Sequence, residues 1–379
     1  MKRQVLLGMS IAFFASVCFA VSAFAQTNNT NKVTENVNSQ DAKSLYSTGV
    51  RYFEGKGVTR DYAEAVKWFR KAAEQGNMDA QVALGGCYYY GLGVTLDKAE
   101  SVKWYRKAAE QGDMHAQTTL GGSYLSGDGV TQDYAEAVKW YRKAAEQGGV
   151  DAQAVLAGCY ATGLGVAKDY VAAVMWYSKA AAQGDAVAQR KLGECYYDGR
   201  GVTRDYTEAV KWYKKAAEQG DIIAQNKLGE CYYDGRGVTK DYTEAVKWIR
   251  KAAEQGLVDA QYYLGFLYYE GNGVTQDYAE SVKWFRKAAE QGEVLAQLML
   301  GNCYALGQGV TQDYAEAVKW FKLATEQGSL DAQVMLGTYY YKGLGVTKNT
   351  EEGIRLLRDA EKKGNEAAKV SLKNLNISE

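Results

Sequence analysis

Residues 116–151 read AQTTLGGSYLSGDGVTQDYAEAVKWYRKAAEQGGVD, and these 36 residues decide the fold. Ala116 to Ser126 is compatible with a helix. Gly127-Asp128-Gly129-Val130-Thr131 breaks it, because glycine supplies the left-handed backbone that a helix end favours. Asp133-Tyr134-Ala135-Glu136 then opens a second helix, with Asp at the N-cap and Glu three residues on, the pattern of a capping box. Tyr134, Ala137, Val138, Tyr141, Ala144 and Ala145 recur at three-to-four spacing, which marks one apolar helix face. Gly148 ends the helix. The stretch predicts a helix A, a glycine loop and a helix B. Neither helix can bury its apolar stripe alone, so stacked copies must bury it together.

The copies are there. Trp68, Trp104, Trp140, Trp176, Trp212, Trp248, Trp284 and Trp320 follow one another at 36-residue intervals. A fixed period of this size is the mark of a repeat array. Aligned on the first Ala, units start at Ser44, Ala80, Ala116, Ala152, Ala188, Ala224, Ala260, Ala296 and Ala332, and a half-unit starts at Ala368. The expected fold is all-α: an α/α solenoid, a right-handed superhelix of nine 36-residue helix-turn-helix repeats over residues 44–379, closed by a C-terminal capping helix. The ends depart from the consensus as caps should. Ser44 and Thr48 stand where other units have Ala and Leu, Leu356 replaces the Trp, and Lys369, Lys373 and Asn374 make the last half-unit polar.

Ahead of the array stands an address. Lys2 and Arg3 are followed by an apolar run from Val5 to about Val21 and by Ala23-Phe24-Ala25, a small-x-small cleavage site. Residues 1–25 therefore read as a secretory signal peptide, cleaved after Ala25. Val17 stands before Cys18 where lipoprotein processing wants a small residue. Residues 26–43 (QTNNTNKVTENVNSQDAK) are polar and Asn-rich and read as a disordered leader. The expected location is periplasmic or secreted, with no membrane span after cleavage.

Composition narrows the function. The chain of 379 residues carries 45 Lys plus Arg and 45 Asp plus Glu; losing Lys2 and Arg3 leaves 43 basic residues against 45 acidic. Non-specific nucleic-acid binders are basic, so nucleic acid is not the expected partner. One His leaves no His-rich metal site, and the absence of Pro excludes Pro-rich linkers. No cofactor or metal is implied.

One unit shows the motif in full: Ala188, Leu192, Gly193, Tyr196, Gly199, Gly201, Val202, Asp205, Ala209, Trp212, Ala216, Ala217 and Gly220. The pattern resembles the Sel-one-like repeat (SLR) family, relatives of the tetratricopeptide repeats, and the resemblance runs over about residues 44–375. It implies a scaffold or adaptor that binds other proteins. Many family members carry Pro after the Gly-Val; here that place is Thr203, Thr239 or Ala167. Disulfide-rich members clip helix A to helix B with two Cys per repeat. Here Cys87, Cys159, Cys195, Cys231 and Cys303 all occupy one helix-A position. Equivalent positions on stacked helices lie roughly 8–10 Å apart, past the ~7 Å reach of a disulfide. The five read as buried thiols. The penicillin-binding or penicillin-hydrolysing activity of cysteine-rich members is the enzyme alternative, and the missing Cys pairs weaken it. The stretch after residue 25 holds no S-x-x-K, G-x-S-x-G or C-x-x-C. His115, just ahead of a helix A where other units have Asp79 or Asp151, reads as a surface residue near a cap. The chain is not expected to be an enzyme.

Two repeated features invite a ligand and have a plainer reading. Helix B carries a basic trio (Lys139, Arg142, Lys143) with Glu136 and Glu146 at helical spacing, a compensated solvent face. Trp140 and its equivalents read as packing between repeats rather than sugar platforms.

Variation between copies points to the free face. On a helical wheel of about 100° per residue, Ala80, Gln81, Leu84, Gly85, Cys87 and Tyr88 stay nearly constant among units and must pack. Val82, Ala83, Gly86, Tyr89 and Tyr90 mark the half that varies. In helical-hairpin arrays helix A lines the concave surface. The variable half holds Arg190, Lys191, Glu194 and Tyr197 in the fifth repeat and Asn226, Lys227, Glu230 and Tyr233 in the sixth. The seventh has Tyr262, Tyr263, Phe266 and Tyr269, and the eighth Met299 and Asn302. Aromatic anchors beside charged orienting groups suit a protein or peptide partner. The expected function is an exported scaffold or adaptor docking a protein or peptide there. A periplasmic regulator of a membrane sensor and a binder of a small molecule or cell-wall fragment are the alternatives.

Overall fold

A computed structural model describes residues 41–377. The expected signal peptide, residues 26–40 of the expected leader and residues 378–379 lie outside the described residues. Asp41 caps the first helix, accepting from the Ser44 amide at 2.7 Å.

The described residues form nineteen helices and no strand. In chain order they are α1 (Ala42–Glu54), α2 (Tyr62–Glu74), α3 (Met78–Tyr90), α4 (Lys98–Glu110), α5 (Met114–Ser126), α6 (Tyr134–Glu146), α7 (Val150–Thr162), α8 (Tyr170–Ala182), α9 (Ala186–Asp198), α10 (Tyr206–Glu218), α11 (Ile222–Asp234), α12 (Tyr242–Glu254), α13 (Val258–Glu270), α14 (Tyr278–Glu290), α15 (Val294–Leu306), α16 (Tyr314–Glu326), α17 (Leu330–Lys342), α18 (Thr350–Lys362) and α19 (Glu366–Asn374). Odd numbers are A helices and even numbers B helices. This is the α/α repeat class, with nine consecutive helix pairs. Each A helix opens two residues before the Ala that set the register in sequence.

The chain divides into two compact units. One runs to Ala188 and takes in Arg200–Val202; the other comprises Gln189–Gly199 and Thr203 onward. Within each unit the helices pack in chain order, each pair burying its stripe against the next pair. In the first unit Val102, Tyr105, Ala108 and Ala109 of α4 share a core with Ala116 and Leu120 of α5 and Trp140 of α6. In the second, Val282, Phe285, Ala288 and Ala289 of α14 share one with Ala296, Leu300 and Cys303 of α15. Phe285 is fully buried, worth about 1.5–3 kcal/mol.

Two glycine positions make this packing possible. A Cβ on Gly265 would sit 2.6 Å from the Phe285 ring, so only glycine lets helix B lie this close to helix A. The second glycine of each loop from the second repeat on has positive φ and rests on the start of the preceding helix B. A Cβ on Gly237 (φ 72°) would meet the Tyr206 carbonyl at 2.1 Å, and one on Gly129 (φ 73°) the Lys98 carbonyl at 2.2 Å.

Buried glutamines complete the joints. Gln225 donates to the Ala217 carbonyl (3.2 Å) and accepts from Gln255 (2.8 Å). Gln117 does the same with Ala109 and Gln147. One side chain thus satisfies the end of the previous helix B and holds the end of its own, as a buried amide must.

Two sequence expectations need correction. Asp133 does cap α6, accepting from the Glu136 amide at 3.0 Å, but the reciprocal half of a capping box is not made. The Asp133 amide donates to the Tyr124 carbonyl (2.9 Å), and the Glu136 carboxylate pairs with Lys139 (2.7 Å). His115 is not a surface cap residue. It lies half-buried in the first turn of α5, its ring edge-on to Tyr105 at 6.4 Å, and burial holds its pKa below the ordinary range.

Candidate functional site

The repeated features of helix B are accounted for inside the fold. Lys139 pairs with Glu136, Arg142 donates to the Tyr160 hydroxyl at 2.7 Å, and Lys143 lies 4.2 Å above the Trp140 ring. Arg250 and Tyr268, Lys251 and Trp248, and Lys247 and Glu244 repeat the arrangement. Trp140 is buried in the joint between α4, α5 and α6. The basic trio and the tryptophans are joinery. The five Cys of the described residues are buried thiols, none in a disulfide, and burial pushes the Cys87 and Cys231 thiols up to about 12 and those of Cys159 and Cys303 to about 11.

The variable half of helix A in repeats five to eight lies within the second unit, apart from the first turn of α9. In α9, Arg190 is buried. Its guanidinium reaches Glu194 at 2.7 Å and Asp221, the N-cap of α11, at 3.1 Å. Burial opposes its charge, and the two carboxylates outweigh burial and raise its pKa. Lys191 pairs with the other Glu194 oxygen at 2.8 Å. In α11, Asn226 is buried and donates to Glu230 at 2.7 Å, and Lys227 pairs with Glu230 at 2.7 Å. Tyr197 accepts from Arg236 and packs edge-on against Tyr206 at 5.0 Å. Tyr233 packs tilted against Tyr242, ring centroids 5.1 Å apart. On this face of the two repeats, Arg190, Lys191 and Lys227 are all paired with carboxylates of the same repeats.

Repeats seven and eight differ. Tyr262, Phe266, Tyr269 and Met299 are half-buried around the α14–α15 core, with Tyr262 at 5.9 Å from Phe285 and the Tyr269 hydroxyl donating to Gln308 at 2.8 Å. Asn302 is half-buried beside them. Tyr263 faces solvent, 39% exposed. Burial first, then the Glu230 carboxylate, raise its phenol above the ordinary range.

Three further residues extend this face and were not singled out in the sequence. Ile223 (42% exposed), Leu295 (49%) and Leu306 (64%) belong to α11 and α15. Leu295, Met299, Asn302 and Leu306 follow at four, three and four residues, one helix face. Ile223 and Leu295 occupy the second helical position, where Asp79, Asp151, Asp259 and Asp331 stand in other repeats. That exchange of Asp for a large aliphatic was the available signal.

The Sel1 repeat profile matches nine times, at residues 42–77, 79–113, 115–149, 150–185, 186–221, 222–257, 258–293, 294–329 and 330–365. The chain belongs to the Sel1 repeat family. Sel1 repeat proteins are generally protein-interaction scaffolds, typically without enzymatic activity. Among solved structures, the chain is similar to a protective antigen of uropathogenic Escherichia coli with an SLR fold: 40% identity, 89% of this chain and 79% of that one, TM-score 0.65. It is similar also to a Sel1 repeat protein from Oxalobacter formigenes: 32% identity, 94% and 99% covered, TM-score 0.64. A comparison with curated proteins gave no match. No described helix of this Sel1 repeat chain is long and apolar enough to cross a membrane.

Proposed function

We propose that the chain is an exported adaptor that docks a protein or peptide on the helix-A face of repeats six to eight. One observation carries this reading: Ile223, Tyr263, Leu295 and Leu306, four of the large apolar side chains left in solvent, fall on the A helices of three successive repeats. A lone exposed leucine says nothing, whereas a shared apolar face marks an interaction surface. Tyr263 has the size and partial burial of an interface anchor. Export rests on Lys2, Arg3, the apolar run and Ala23-Phe24-Ala25. It is supported by the relative from Escherichia coli, since a protective antigen is a protein the immune system reaches.

The test compares residues 26–379 with a Tyr263→Ala, Leu295→Ala variant as bait in native envelope extract. Both side chains are exposed, so their truncation leaves the fold intact. Tyr262 and Phe266, which pack on the core, would confound it. Loss of the captured partner with unchanged circular dichroism is expected. Undiminished capture by the variant would overturn the reading.

A further inference from the structure

The chemistry of this face narrows its partner. Neither α13 (VDAQYYLGFLYYE) nor α15 (VLAQLMLGNCYAL) contains Lys or Arg, nor do the loops that follow them, residues 271–277 and 307–313. The charged groups of the two helices and of the α15 cap are Asp259, Glu270 and Glu293, all acidic. Asp259 and Glu270 are exposed and Glu293 is half-buried.

The cations of the intervening α14 are committed elsewhere. Lys283 pairs with Glu280 at 2.7 Å, Arg286 donates to the Tyr304 hydroxyl, and Lys287 lies 3.9 Å above the Trp284 ring. Asp259 and Glu293 are near enough to act on each other: burial, and then Asp259, raise the Glu293 pKa. Repeats five and six, by contrast, neutralise their own carboxylates with Arg190, Lys191 and Lys227. Lys227, the cation beside Tyr263, is held by Glu230 at 2.7 Å, so around the apolar strip of Tyr263, Leu295, Met299 and Leu306 the carboxylates of Asp259, Glu270 and Glu293 stand without an ion pair among the described residues.

Resting on the docking reading above, we infer that repeats seven and eight receive a cationic protein segment, one presenting large apolar side chains flanked by Lys or Arg. Charge complementarity carries the choice. An acidic surface repels like-charged partners and steers cations in, mostly through the association rate. The same sign of charge turns away nucleic acid and anionic membrane. The chain's own leader does not fit the description: in residues 26–40 the large apolar residues are Val33 and Val37, and Lys32 is balanced by Glu35.

The test uses residues 26–379 and two fluorescent peptides of equal length, with the same Leu and Phe positions, one carrying Lys and the other Glu between them. Anisotropy titration at low salt is expected to show the Lys peptide binding at least tenfold tighter. Raising the salt should shrink that ratio, as it does for exposed charges. An Asp259→Asn, Glu270→Gln variant should lose most of the preference while keeping its circular dichroism, and Tyr263→Ala should weaken both peptides. Equal or tighter binding of the Glu peptide, or binding of neither, overturns the inference. A preference that survives the Asp259→Asn, Glu270→Gln change overturns it too, by placing the cationic site elsewhere. None of these results touches the docking reading, which falls only if partner capture survives loss of Tyr263 and Leu295.

Discussion

At the scale of single residues, the thiols report the core. Burial holds Cys87 and Cys231 at about 12 and Cys159 and Cys303 at about 11, against an ordinary value of 9.0. An unfolded chain releases these protons from about pH 8.5 upward; the folded chain keeps them. Between those limits the native state binds more protons than the unfolded one, so stability falls as pH rises. Urea unfolding at pH 8, 9 and 10 should show a midpoint that drops beyond pH 9, by roughly 1 kcal/mol per pH unit for each thiol still protonated only in the native state. In the same preparation, residues 26–379 should offer Ellman's reagent almost no thiol when folded and five when unfolded. A count of one would mean two disulfides.

The same residue scale shows where the sequence was legible. That all five Cys share one helix-A position was enough to place them in the core, because after the first unit that position holds only Cys, Ser123, Leu267 and Tyr339 and no charged residue, the pattern of a site that must pack. Arg190 and Asn226 were legible only as variable. A wheel gives the angle of a side chain and not how far the next repeat covers it. Asp221, the cap of the following A helix, reaches over Arg190 and turns an apparent surface cation into a buried ion pair. His115, Ile223 and Leu295 share one reason for being hard to read: each sits at the second position of its A helix. A register counted from Ala116 and its equivalents begins two residues into helix A and leaves the second helical position outside it.

At the scale of elements, α8 is the exception among the B helices. Others hold a Glu–Lys pair three residues apart on the outer face, such as Glu136–Lys139 and Glu208–Lys211, or in α18 the Glu352–Arg355 pair. In α8 those places are Ala172 and Met175, and Val171 and Met175 are exposed. Its core face is unchanged, with Ala173, Val174, Trp176, Tyr177, Ala180 and Ala181 buried. Core and outer face are therefore independent in this fold: the joint is set by one side of the helix, and the other is free to change. Restoring the pair with Ala172→Glu and Met175→Lys should raise stability by about 0.2–0.5 kcal/mol, the worth of one exposed helical ion pair. A urea midpoint in 0.1 M salt reads the change. A loss of 1 kcal/mol or more would show that the apolar face is held by a contact in the folded protein.

At the scale of the whole molecule, the joints decide how stability is distributed. Within each unit the main contacts run from one helix to its neighbours in sequence, and in such arrays stability is close to a sum of repeat and nearest-neighbour terms. Gly237 tests this at one joint. Its loop sits on the first turn of α10, where a Cβ would lie 2.1 Å from the Tyr206 carbonyl and the backbone is left-handed at φ 72°. Gly220 has positive φ as well, but open space around it. Gly220→Ala carries only the left-handed penalty, about 1–2 kcal/mol. Gly237→Ala adds a backbone collision that no rotamer relieves, and its cost should exceed that by a further ~1–3 kcal/mol. Hydrogen exchange followed by mass spectrometry separates the sites of damage. With Gly237→Ala, amide protection in α10, α11 and α12 should fall, while α17 and α18, at the far end of the same unit, keep theirs because no principal contact links them to that joint. A uniform loss across the unit would mean that its repeats unfold as one body, and nearest-neighbour additivity would then fail for this array.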